Sequence, residues 1–181
     1  MGPVRPEGRV VALIVFWAAA VSAIVGAVVC ITRKNPIASL LWLVYVMFNL
    51  SILFVLQDAH FLAAVQILVY AGAIMVLFLF VIMLLNIGRP GPSDIKSGRG
   101  AVIAVVAGLL MLAELVALSQ VELPASMSLP AGAVSRMVEQ QGAVEAVATP
   151  LFQQYLIPFE ITSVMLLAAL VGAVVLAKRK L

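Results

Sequence analysis

Charge is what this chain has least of. Lys and Arg number 11 and Asp and Glu 8 among 181 residues, 10% in all, where soluble domains carry about 25%. An ordinary soluble fold is excluded on that ground. Cys30 is the single cysteine, so no intrachain disulfide forms and no thiolate cluster can hold a metal. His60 is the single histidine. A Gly-rich phosphate loop, a dinucleotide fingerprint and a His/Cys ligand cluster are all missing, so the residues themselves give no signal for NADH, flavin or iron–sulfur binding. A cleavable signal peptide is not expected either, because the first apolar run is longer than a typical h-region and lacks a small-residue cleavage site. What fills the chain is hydrocarbon: 65% hydrophobic residues and a mean hydropathy of +1.21. The charges cluster between apolar runs and leave no stretch for a soluble domain with its own core. Residues 1–181 therefore read as one all-α, polytopic integral membrane domain in the lipid bilayer. The net charge of +3 speaks to topology and not to nucleic-acid affinity.

Five apolar runs follow one another, at residues 10–31, 37–56, 61–85, 101–120 and 151–177, and each is expected to cross the membrane. A polar tail of residues 1–9 precedes the first, and Thr32-Arg33-Lys34 closes it. Asn35-Pro36 predicts a helix start, with Asn as the cap and Pro at the first helical position, where its missing N–H costs nothing. Trp42 and Tyr45, near the basic end of the second run, suit the headgroup boundary. The short link Gln57-Asp58-Ala59-His60 forces the second and third runs into an antiparallel hairpin. Residues 86–100, rich in Gly, Pro, Ser and charge, read as an exposed loop. In the outer loop 121–149, Val134, Met137, Val138, Gln141, Val144 and Ala148 fall at helical spacing and predict a short amphipathic helix on the membrane surface. Thr149-Pro150 predicts a second capped start, opening a final run that Pro158 breaks and Lys178-Arg179-Lys180 ends.

Topology follows from the basic residues. The connections after runs one and three, with the C-terminus, hold Arg33, Lys34, Arg89, Lys96, Arg99, Lys178, Arg179 and Lys180, eight in all, against three (Arg5, Arg9, Arg136) on the other side. Positive residues favour the cytoplasm, so the N-terminus is expected outside and the C-terminus inside.

The third run, FLAAVQILVYAGAIMVLFLFVIMLL from Phe61 to Leu85, is the most informative stretch. It holds no charge over 25 residues, about 37 Å of helix at 1.5 Å per residue, against roughly 30 Å of hydrocarbon. Near its middle lie Tyr70-Ala71-Gly72, with Gln66 one turn earlier on the same face. Two accounts are open: Tyr70 bonds a neighbouring helix while Gly72 permits close packing, or Gly72 weakens the i→i−4 ladder and admits a π-bulge. Other polar groups at membrane depth also have two readings. Glu160 is either hydrated at the outer boundary or part of a proton path or subunit contact. Glu114, deeper in the fourth run, is protonated, paired with a neighbouring chain, or lining water. Asn49 and Ser51 read as hydrogen-bonding glue between helices, and His60, beside Asp58, as a solvated loop residue.

Asn35-Pro36 and the stretch from Asp58 to Leu85, centred on FLAAVQILVYAGAIMVLFLFVIMLLN, closely resemble the J subunit (NADH dehydrogenase subunit 6) family of respiratory complex I, the proton-pumping NADH:quinone oxidoreductase, in its bacterial type. The terminal Pro158-Phe159-Glu160 and the apolar run to the basic tail are similar to the end of bacterial members. The likeness is dense over residues 33–87 and looser over runs one and four; Glu114 and the loop from Arg136 to Glu145 have no clear counterpart.

The resemblance implies a multi-pass subunit of the bacterial cytoplasmic membrane, seated beside the A, H and K subunits. It also implies a π-bulge around Tyr70, Ala71 and Gly72, running through Ile74 and Met75. Interconversion of that bulge with α-helix would open or close a water path for protons. Gating and proton-path residues are then Tyr70, Ala71, Gly72, Ile74, Met75 and Gln66, with Glu160 and Glu114 as further candidates. No catalytic residue is expected here, and flavin, iron–sulfur clusters and quinone would be held by partner subunits. A competing reading is a subunit of a related cation/proton antiporter or membrane-bound hydrogenase complex. A stand-alone transporter fits less well, since no inverted repeat is visible.

Overall fold

The computed structural model describes residues 6–85, 98–121 and 132–178. The exposed loop expected at residues 86–100 falls mostly outside the described residues, as do Arg5, Arg89, Lys96, Arg179 and Lys180 of the topology count. Every regular element among the described residues is a helix, and five are long and apolar enough to cross a membrane: Gly8–Thr32, Pro36–Leu56, His60–Leu85, Val102–Ser119 and Leu156–Ala177.

The first compact unit holds α1 (Pro6–Thr32), α2 (Pro36–Leu56), the third helix from Leu62 onward, and α5 (Gly98–Ser119). The start of α2 is the one the sequence announces. Asn35 is extended (φ −88°, ψ 117°), and its Oδ1 accepts the N–H of Ile37 at 3.0 Å, satisfying a donor that the first turn leaves free. A return so tight lays α2 back along α1. The two backbones come close because Gly26 has no Cβ: one placed there would stand 3.0 Å from Cδ1 of Tyr45 and 3.0 Å from Cγ2 of Val46. Polar contacts flank this approach, between the Ser22 and Tyr45 hydroxyls and from the Ser39 hydroxyl to the Cys30 carbonyl. Tyr45, read from sequence as a headgroup anchor, thus holds α1.

The third helix has three parts: α3 (His60–Val65), a π-wound segment (Gln66–Ile74) and α4 (Met75–Leu85). Both the π-wound segment and α4 pack on α2. The buried side chains form a narrow seam, consisting among the described residues of Ala19, Leu40, Ala63, Ala71 and Met75 with the polar Asn49, Ser51 and Gln66. Along α5, every described side chain from Val102 to Ser119 is exposed.

The second compact unit holds Asp58–Phe61 with α6 (Ala133–Gln141), α7 (Glu145–Gln153) and α8 (Leu156–Ala177). Asp58 adopts a left-handed conformation (φ 58°), one that Asp tolerates better than most residues. Its carboxylate accepts a hydrogen bond from the Ser135 hydroxyl of α6.

Three expectations for this region are corrected. The helical spacing of Val134 to Ala148 does not make one helix, because Gly142 (φ 87°) closes α6 and α7 starts afresh after it. Nor does Pro150 open the last span: it lies inside α7. That helix ends where the Pro150 carbonyl receives the N–H groups of both Gln154 (2.8 Å) and Tyr155 (3.0 Å). Pro158 does not break the final helix but sits in the opening turn of α8, where an absent N–H leaves no bond unmade. An edge-on contact between Phe152 and Phe159, with ring centroids 5.1 Å apart, spans the join.

Candidate functional site

The π-wound segment is nine residues, QILVYAGAI, with no charge and a single glycine. A π ladder pairs each N–H with the carbonyl five residues back, a wider turn than the α-helix and a rare one. Gly72 suits it directly: a Cβ at this position would stand 3.2 Å from the Ile67 carbonyl oxygen, five residues back and thus the acceptor of its own N–H. Ala71, next to it, is buried and small enough for the seam. At the far end the Met75 N–H is shared between the carbonyls of Tyr70 and Gly72, passing over that of Ala71, and α winding resumes. Such a rejoining displaces the helix after it by one residue of winding, about 100° and 1.5 Å.

Side chains on the segment divide by face. Gln66, its first residue, is buried and points its Nε2 at the Met47 sulfur of α2, 2.9 Å away. Ala71 and Met75 are buried, and Ile74 is half-buried. Tyr70 is 48% exposed on the chain itself, so its ring faces outward from this seam. Just before the segment, the Ser51 hydroxyl of α2 donates to the Ala63 carbonyl at 3.0 Å in a buried contact. Asn49, expected to bond across helices, instead donates to the Tyr45 carbonyl of its own helix at 2.8 Å. Its amide fills the acceptor one turn back because that group is nearest.

Six of the eight residues singled out from the sequence (Gln66, Tyr70, Ala71, Gly72, Ile74 and Met75) lie on this segment or at its junction with α4. Glu114 is exposed on α5, away from the π segment. Glu160 is exposed on α8 in the second unit; with that helix beginning at Leu156, it stands about one turn from the start. Met47, the acceptor for Gln66, was not visible in the sequence, since a methionine in an apolar run carries no pairing signal. Among the described residues no three His, Cys, Asp or Glu side chains gather into a metal-binding group.

The fold defines a polytopic helical membrane protein whose third span is π-wound and free of charge, and comparison with known proteins makes this specific. Residues 26–176 match the family described as NADH-ubiquinone/plastoquinone oxidoreductase chain 6, and the chain belongs to that family. It is 34% identical over 171 residues to NADH-quinone oxidoreductase subunit J of Rhodobacter capsulatus, covering 91% of this chain and 80% of the relative. With the subunit J of Pseudomonas aeruginosa it shares 35% identity over 159 residues (87% and 92% covered). With the NAD(P)H-quinone oxidoreductase chain 6 of Leptolyngbya boryana it shares 36% over 149 residues (81% and 70% covered). The chain is therefore a multi-pass protein of the bacterial cytoplasmic membrane and a subunit type of NADH-quinone oxidoreductase.

Proposed function

We propose that this chain is a non-catalytic, conformationally active subunit of a proton-pumping NADH:quinone oxidoreductase, in which the third helix gates water for protons moved by its neighbours. The observation that carries this reading is the π winding of Gln66–Ile74 around Tyr70-Ala71-Gly72. Rewinding to α would turn α4 by about 100° relative to α3 and exchange the side chains along any adjoining water file, and a dry gap does not conduct protons. Flavin, iron–sulfur clusters and quinone belong in this reading to partner chains, and the contacts are with A-, H- and K-type membrane subunits. The N-terminus faces outward and the C-terminus inward.

Side-chain-resolution maps of the assembled complex, at rest and during turnover, test the proposal. Residues 66–74 are expected to be π-wound in one state and α-wound in another, with ordered water reaching the segment in only one of them. Uniform winding in every state with no water nearby would leave the chain a scaffold.

The acid on α8 is assigned no place in the path. Glu160→Gln is expected to leave coupled quinone reduction within about twofold of the parent, because a carboxylate near a helix start contributes only about 0.3–1 kcal/mol of local electrostatics. A large drop in coupled turnover with intact assembly would return Glu160 to the proton path.

A further inference from the structure

We infer that Ser51 is a positioning residue that sets where π winding begins, by holding the last α-wound turn of the third helix against α2. The inference rests on the gating reading above for its effect on turnover, but not for its geometry. Ser51 and Ala63 are among the most buried of the described residues, at 3% and 4% exposure, and the hydroxyl of one meets the carbonyl of the other at 3.0 Å. Ala63 lies in α3, in the last α-wound turn before Gln66 opens the π segment, so its carbonyl already belongs to the helix ladder. A carbonyl oxygen has two lone pairs, so the Ser51 hydroxyl takes the second and leaves the ladder bond in place.

One turn along α2, Met47 meets Gln66, the first π residue, through the amide-to-sulfur contact at 2.9 Å. Met47 and Ser51 share one face of α2 at i,i+4, and Ala63 and Gln66 share one face of the third helix at i,i+3. Two rungs therefore join the helices, and they are unequal. The hydroxyl-to-carbonyl rung is buried and joins a strong donor to a strong acceptor, whereas the thioether of the other rung is a weak acceptor. The boundary between α and π winding falls between them. Beyond it, α4 is MVLFLFVIMLL, wholly apolar, with no side chain able to fix its rotation by hydrogen bonding. Rotation by one residue would bring Ile74, Phe78 and Val81 into the inward places of Met75, Leu79 and Ile82, exchanging apolar for apolar. Polar register exists only upstream, so a change of winding is confined to the side downstream of Ser51.

The test uses Ser51→Ala and Ser51→Cys in the assembled complex, with amide hydrogen exchange read along the third helix beside two activities. For Ser51→Ala, exchange at the amides of Ile67 and Leu68, the two that can pair with the Ala63 carbonyl under α or π winding, is expected to rise about three- to tenfold while α4 amides stay as in the parent. Coupled quinone reduction falls by a similar factor, and NADH oxidation with an artificial acceptor is unchanged. Ser51→Cys keeps the size and a weak donor, so it falls between the two and carries the test if the alanine variant does not assemble. Unchanged exchange at Ile67 and Leu68, or an equal rise along the whole helix, overturns the inference, because loosened packing alone would give the latter. Raised exchange confined to these two amides with full coupled turnover supports the positioning role of Ser51 and overturns the gate.

Discussion

Replacing Gly72 with valine should lower coupled quinone reduction about tenfold or more while NADH oxidation with an artificial acceptor holds at the parent rate. The added Cβ would sit 3.2 Å from the Ile67 carbonyl oxygen, closer than an ordinary van der Waals contact. That oxygen is the acceptor that π winding assigns to residue 72, so the crowding falls on the π ladder itself. Valine adds two γ-methyl groups with little rotamer freedom in a helix. Overpacking of this kind costs about 1–3 kcal/mol, and 1.4 kcal/mol removes about nine-tenths of a population. The π-wound state would then be depleted, and with it any step that requires both windings. Partner subunits that oxidise NADH are untouched, so the two activities separate. Parallel loss of both would instead indicate failed assembly and would withdraw support from the gate.

Gly26→Leu is expected to behave in the opposite way, lowering both activities together by reducing the amount of assembled complex several-fold. Its Cβ would lie 3.0 Å from side-chain atoms of both Tyr45 and Val46, and the remaining leucine atoms have no room unless α1 and α2 move apart. Separation would break the Ser22–Tyr45 contact, and α2 is also the surface on which the π segment and α4 rest. At about 1–3 kcal/mol for overpacking, a marginal membrane hairpin loses much of its folded population. Blue-native gels of the membranes, with the content of this chain measured in parallel, give the readout. Normal assembly with normal activity would show that the α1–α2 approach is looser than the geometry requires.

Much of this architecture could be read from the chain itself. Long uncharged runs have one physical solution in a bilayer, and Asn35-Pro36 marks the start of α2 to the residue because a cap and a fixed φ act locally. The π segment was legible only in part. Gly72 and the surplus length of the third run allowed a wide turn, but the resemblance at Tyr70-Ala71-Gly72 located it. The end of the chain misled for a definite reason. Thr149-Pro150 has the composition of a helix start, yet a proline is also tolerated within the short α7, and the Pro150 carbonyl determines where that helix ends. The pairings of Ser51 with the Ala63 carbonyl and of Gln66 with Met47 depend on the register between two helices, which neither helix specifies alone.

The close approach of α1 and α2 at Gly26 has a thermodynamic consequence. Lipid tails are as apolar as leucine, so helices in a bilayer gain little from leaving their solvent, and adhesion comes from dispersion between closely fitted small residues. Expulsion of water from hydrocarbon gives soluble proteins their large heat-capacity change and their weakening on cooling. Parting α1 and α2 within the membrane should carry almost no heat-capacity signature, and the pair should hold as firmly in the cold as at growth temperature.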